Sequence, residues 1–319
     1  MKSCNRKLFA ASIAIIGLLG VQSQSNVCQK IVEESAPNYC EQWGQNHVAC
    51  NPKQGDIKCG KSTAELSDIT DRMKWNIIRQ HNTYRNMVAK GTFTLIPIAA
   101  RMLKIKWDEN LAYVASQAIR KCNLSIPNDL IYPTTNASKP GYNAAYNKYP
   151  ESLPQDELKI ASSQIKSWFN QNKYVNVQGL RTNKSAAGQE IGHFKQLVTG
   201  LNDRVGCAIL KYPEGSWRIQ LMICLYGCHQ QDNQMTYALG KVPGDKCQCG
   251  ADKKFKNLCV KTERYGDCAL IKDHNLEDAD LDGTTTTTAP KTTRKHKRWN
   301  NDLLDKMTEW VLGQETAKL

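Results

Sequence analysis

The 319-residue sequence predicts an α+β fold stapled by disulfides. Three observations carry that expectation. Three stretches place apolar residues at helical spacing, one β-hairpin has a second strand that alternates well, and an even number of cysteines follows a secretory leader.

The leader comes first. Lys2, Arg6 and Lys7 precede an apolar run over residues 8–21, and Val21-Gln22-Ser23 supplies the small or apolar residues of a cleavage site. Residues 1–23 therefore read as a signal peptide cut after Ser23. The run is too short to serve comfortably as a membrane span, and no later run is as apolar, so a secreted, extracellular protein without a transmembrane segment is expected.

Of the 13 cysteines, Cys4 leaves with the leader. The remaining even count implies a disulfide framework in an oxidising compartment. Cys247, Cys249 and Cys259 with His229 contain zinc-ligand types, but in a secreted chain the spacing reads as disulfides. The formal net charge is +13, of which Lys2, Arg6 and Lys7 lie in the leader. Lys291, Arg294, Lys295, Lys297 and Arg298 lie in one tail cluster. The body is thus only mildly basic. Secretion leaves nucleic acid without support as a partner, while acidic glycans or membranes stay compatible with the charge.

Residues 24–60 hold Cys28, Cys40, Cys50 and Cys59 among Gly, Pro and Asn, and read as a loop-rich, cross-linked lead-in. Ser67 or Thr70 can cap the first helix, over 71–90, where Met73, Ile77, Ile78, His81, Tyr84 and Val88 form one stripe. A second helix over 108–122 starts at Asp108-Glu109, acids suited to a helix N-terminus, and turns Leu111, Val114, Ala115, Ala118 and Cys122 inward. Residues 123–154 read as irregular. A third helix over 155–171 carries Leu158, Ala161, Ile165, Trp168 and Phe169, and a polar loop follows over 172–187.

The organising stretch is 188–226. His193 opens a short helical segment with Phe194, Leu197 and Val198. Strands over 204–212 and 217–226 then flank a turn at Pro213-Glu214-Gly215-Ser216, and Trp217, Ile219, Leu221, Ile223 and Leu225 share one face. Antiparallel pairing brings Cys207 near Cys224. The body over 61–242 is followed by a cysteine-rich appendage over 243–268 and an acidic, Thr-rich, then basic linker over 269–298. A tail segment over 299–319 puts Trp299, Leu303, Met307, Trp310 and Val311 on one helix face. Lys295-His296-Lys297-Arg298 resembles a proprotein-convertase site, which gives a precursor cut after Arg298 as one alternative reading. Sequons place N-glycosylation at Asn123, Asn136 and Asn183.

These residues resemble a family. Asn38-Tyr39-Cys40, His47-Val48-Ala49-Cys50, His81-Asn82-Thr83-Tyr84-Arg85, Ala100-Arg101-Met102, Trp107-Asp108, Leu111-Ala112, Trp168-Phe169, Gly192-His193-Phe194-Lys195-Gln196-Leu197-Val198 and Val205-Gly206-Cys207-Ala208 occur in order. That series is similar to the CAP superfamily of cysteine-rich secretory proteins, antigen 5 and pathogenesis-related 1 proteins, in its insect venom-allergen branch. The resemblance implies a three-layer α-β-α sandwich. It also implies the bridges Cys40–Cys50, Cys59–Cys122, Cys207–Cys224 and Cys247–Cys259, with Cys28, Cys228, Cys249 and Cys268 left to pair in any of three ways.

The resemblance further implies a cleft of two histidines and two acids able to hold a divalent cation. His81 and His193 match the histidines. The acidic positions read as Tyr142, in Gly141-Tyr142-Asn143, and Gln171, three residues after Trp168. Without carboxylates the cleft lacks a general acid or base, so no enzyme and no cofactor are expected. A divalent cation held weakly by His81 and His193 is the residual option, and a metal-dependent hydrolase using them is the competing reading. The leading expectation is a monomeric, non-enzymatic binding protein of venom, saliva or seminal fluid type, with an extracellular protein or lipid partner.

Overall fold

The computed structural model describes residues 28, 35–52, 55–124, 132–134, 137–153, 155–182, 184–185, 187–230 and 234–263. The signal peptide with Ser23, sequon residues Asn136 and Asn183, Cys268, the linker with Arg298 and the tail segment lie outside these residues.

The centre is a hairpin of β6 (Arg204–Glu214) and β7 (Trp217–Tyr226). Its register pairs Cys207 with Cys224, and those two residues are disulfide-bonded. The turn is tighter than the four residues expected. Glu214 pairs with Trp217, so only Gly215 and Ser216 turn, and Gly215 takes φ +62°. A glycine at the first of two turn positions adopts that angle without steric cost. Both faces of the hairpin are buried, which places it inside the molecule.

Helix α2 (Asp71–Ala89) covers one face with α4 (Glu157–Phe169) and α5 (Gly192–Val198). Thr70, not Ser67, caps α2, its side chain accepting from the Met73 amide. Asp156 caps α4 by accepting from Leu158 and Lys159. Helix α3 (Glu109–Ile119) lies on the other face, capped by Asp108. Gly206 lets it approach: a Cβ there would strike the backbone of Ala112. Two apolar clusters result, one on each side of the sheet. This is the three-layer α-β-α sandwich. Cys122 falls beyond α3, half-buried at φ +56°, rather than on its inner face.

Two regions differ from the sequence reading. Within 123–154, residues Gly141–Pro150 form β5, an edge strand paired with β7 over its whole length. The lead-in is also ordered at its end. Helix α1 (Tyr39–Trp43) precedes β1 (Ile57–Cys59), which forms a hairpin with β2 (Ser62–Leu66). Strand β2 joins β6, so the boundary placed at residue 60 falls inside a hairpin that belongs to the main sheet. Both segments lack strong alternation, and their strand state comes from the partner strand rather than from intrinsic preference.

The appendage is docked on the body. Cys259 donates its amide to Met102 (2.9 Å), and Asn257 bonds Asn86 of α2 through its amide and side chain (3.0 and 3.1 Å). Glu263, fully buried, accepts from Arg101 Nε (2.8 Å) and from the Cys249 amide (3.0 Å). The four bridges implied by the resemblance are formed. Of the four open cysteines, Cys28 pairs with Cys249, and Cys228 is also disulfide-bonded.

Candidate functional site: two histidines joined through Asn143 and Tyr226

His81 sits in the middle of α2, fully buried. Its Nδ1 lies 2.8 Å from the Ile77 carbonyl and its Nε2 lies 2.8 Å from the Tyr226 hydroxyl. A carbonyl only accepts, so Nδ1 carries the proton and Nε2 accepts from Tyr226 O–H. Both ring nitrogens are thereby committed. Burial pushes the His81 pKa down to about 4, opposed by the Ile77 bond and assisted by the charge of Arg85. Burial likewise raises the Tyr226 hydroxyl well above its ordinary value, which keeps it a proton donor.

Asn143, on β5 and fully buried, links this pair to the second histidine. Its Nδ2 donates to the His193 carbonyl (3.0 Å) and to the Tyr226 oxygen (3.3 Å). The carbonyl contact fixes which way the amide points. Asn143 Oδ1 then accepts from His193 Nδ1–H at 3.2 Å. The result is one directed chain: His193 to Asn143, Asn143 to Tyr226, Tyr226 to His81, and His81 to the Ile77 carbonyl. His193 Nε2 is the one ring nitrogen left outside it. His193 is half-buried, and burial lowers its pKa against the opposing charge of Glu190.

Gln171, in the 3-10 turn Asn170–Tyr174 that follows α4, reaches the start of α5. That helix has no side-chain cap of its own, and Gln171 Oε1 accepts from the Phe194 amide at 3.0 Å. Its role is to cap a neighbouring helix. Tyr142 is not in the cleft. It pairs with Leu225 and packs with the α3-side cluster, while Asn143 faces the histidines. Successive side chains of a strand point to opposite faces, so the residue beside the expected one holds the site. Sequence reasoning missed Asn143 and Tyr226. The alternation of 217–226, which put Leu225 on one face, already assigned Tyr226 to the other.

Arg85, one turn after His81 and fully buried, fixes the geometry around this chain. Its guanidinium donates to the carbonyls of Leu103 (3.2 and 2.7 Å), Leu197 (2.9 Å), Thr199 (2.9 Å), Gly200 (3.3 Å) and Asn202 (3.0 Å). Desolvation lowers its pKa to about 9, still charged at neutral pH. Arg85 thus ties the end of α5 to α2.

The donor set does not match a metal centre. Protein zinc sites use three or four ligands. Here His81 offers no lone pair, Gln171 Oε1 is taken by an amide, and His193 Nε2 stands alone. Among the described residues, the only cluster of three metal-ligating side chains is Cys247, Cys259 and Glu263, and its two cysteines form a disulfide with each other. The zinc alternative at the cysteines is thereby removed.

The model of the cysteine-rich secretory protein family matches residues 78–226. Venom allergen-1 of Aedes aegypti is 30% identical over 236 residues, covering 71% of this chain and 89% of that protein. The chain belongs to the CAP family. Venom allergen-1 of Aedes albopictus is 32% identical over 225 residues, covering 68% and 84%. Venom allergen 5 of Vespula maculifrons is 28% identical over 213 residues, covering 60% and 84%. Among solved CAP-fold structures, BmVAL-1 superposes with a TM-score of 0.50 at 21% identity, over 63% of this chain and 98% of its own, a likeness of fold. The antigen-5-like branch read from the motifs is the branch these relatives represent.

Proposed function

We propose that this CAP protein is a secreted, non-catalytic binding protein of an extracellular fluid, of venom, saliva or seminal fluid type, acting on a protein or lipid partner. The observation that carries the reading is the commitment of His81. Both its nitrogens serve a buried hydrogen-bond chain, and no carboxylate bonds either histidine among the described residues. A hydrolase at this position would need a group that changes protonation near neutral pH, and burial holds His81 neutral down to about pH 4. No helix among the described residues is long and apolar enough to cross a membrane, which accords with secretion.

The test is a panel of ester and peptide substrates with millimolar zinc or manganese, run beside His193→Ala. The expected result is no turnover above buffer for either protein. Turnover that requires metal and disappears in His193→Ala would establish the hydrolase instead.

A further inference from the structure

A second surface, built from side chains outside the histidine chain, gathers cations around two aromatic rings. Trp75 lies on the outer side of α2 and is 41% exposed. Arg79, one turn later, stacks over its ring at 4.7 Å. The other half of the surface comes from the docked appendage. Asp252 accepts from the amides of Lys254 (3.0 Å) and Phe255 (2.9 Å), which folds Asp252-Lys253-Lys254-Phe255-Lys256 into a tight turn. Lys253, Lys254 and Lys256 are all exposed. Lys254 Nζ reaches both rings, 5.7 Å from Trp75 and 5.9 Å from Phe255, and Lys104 Nζ lies 5.5 Å from Phe255.

The carboxylate in this group is already neutralised. Asp252 is bonded to Lys104 at 2.7 Å. Lys253, Lys254 and Lys256 therefore concentrate positive charge on a small area whose attachment is rigid: Asn257 is bonded to Asn86 of α2, and Cys247–Cys259 closes the segment. Like charges held together this way repel one another and attract a polyanion. The aromatic faces lie among the cations, where each ring's negative face is matched by a nearby positive group.

We infer that this surface binds a sulfated glycan chain, with the lysines meeting sulfates and the Trp75 ring holding Lys254 in place for that contact. Membrane docking fits less well. An interfacial element projects apolar side chains past its charges into the acyl boundary, whereas Trp75 is covered by Arg79 and Lys254, and Phe255 packs on the core. The inference names a partner class for the binding protein of the preceding section and rests on its acting outside the cell. It uses residues separate from the cleft, so its failure and a failure of the non-catalytic reading are seen in different assays.

The experiment uses the full chain and measures binding to heparin by calorimetry over a salt series, with desulfated heparin and phosphatidylserine vesicles as further probes. The combined change Lys253→Ala, Lys254→Ala and Lys256→Ala is expected to weaken heparin binding about tenfold or more and to flatten the salt dependence, as loss of polyanion contacts requires. Trp75→Ala is expected to weaken binding while leaving the salt slope unchanged. Lys58→Ala, Lys61→Ala and Lys121→Ala together, exposed and on the segments joined by Cys59–Cys122, are expected to change affinity by less than about twofold. All these variants should melt with the parent protein. Equal losses from the two triple variants would overturn the proposal. So would loss confined to neutralising the 294–298 cluster, undiminished binding to desulfated heparin, or binding to the vesicles alone.

Discussion

Replacing Arg85 by alanine should loosen the whole frame that holds the two histidines. The side chain makes six hydrogen bonds to five buried carbonyls, one after β3 (Ala99–Arg101), one in the last turn of α5 and three just beyond it. Each buried acceptor left unsatisfied costs roughly 1–3 kcal/mol. The sum of five such costs overstates the effect for three reasons. The Thr199 and Gly200 carbonyls also accept from the Asn202 and Leu103 amides (3.0 and 2.8 Å), so they are not orphaned. Removing the guanidinium also removes its own desolvation penalty, visible as the pKa lowered to about 9, and water can enter the polar space it leaves. A net loss of about 3–5 kcal/mol results, in the range found when one partner of a buried charged network is removed. For a domain of this size that corresponds to a fall in Tm of about 10 °C. Arg85→Lys keeps the charge but offers three donors in place of the planar fork, and should lose roughly half as much. Urea unfolding followed by circular dichroism measures both. A loss below about 1 kcal/mol for Arg85→Ala would refute the assignment of Arg85 as the tie between α2 and α5.

Three further outcomes follow from the same geometry. His81 has a folded-state pKa depressed to about 4 from an ordinary 6.5, so its contribution is complete above about pH 6.5 and is lost as pH falls towards 4. That amounts to about 3 kcal/mol, and a urea-midpoint profile of His81→Gln should be flatter than the parent's in that window by this amount; parallel profiles would contradict it. Tyr226→Phe removes the proton offered to His81 Nε2 and the acceptor of Asn143 Nδ2, and should cost about 1–3 kcal/mol with little change in shape. Peptide mapping of the mature protein should recover Cys28–Cys249 and, because Cys228 is bonded and Cys268 is the one cysteine left, Cys228–Cys268; a Cys28–Cys228 peptide would refute this set.

The three helices were legible because each buries one stripe, and their caps at Thr70, Asp108 and Asp156 are local signals. The hairpin was legible because Trp217, Ile219, Leu221, Ile223 and Leu225 recur at every second position after a Gly-containing turn. Strand β5 was not, since Gly-Tyr-Asn-Ala-Ala-Tyr-Asn-Lys-Tyr-Pro contains no β-branched residue. It is a strand because β7 offers a ten-residue partner, a cause that lies some eighty residues away in sequence. The site divides the same way. His81 and His193 were found by motif, and Gln171 by its spacing from Trp168. Tyr142 was misplaced by one residue because the face it occupies is set by register with Leu225. Asn143 and Tyr226 became visible as site residues only when β5 and β7 stood side by side.

On the proposed reading, the two hydrogen bonds of its ring make His81 a locked structural group, not a ligand or base. Long-range proton–nitrogen NMR of the imidazole rings between pH 3.5 and 8, with and without zinc, tests it most directly. The predicted spectrum shows His81 as the neutral Nδ1–H tautomer down to about pH 4, unmoved by zinc. Titration of His81 near its ordinary pKa, or a shift of its Nε2 resonance on adding zinc, would contradict the account.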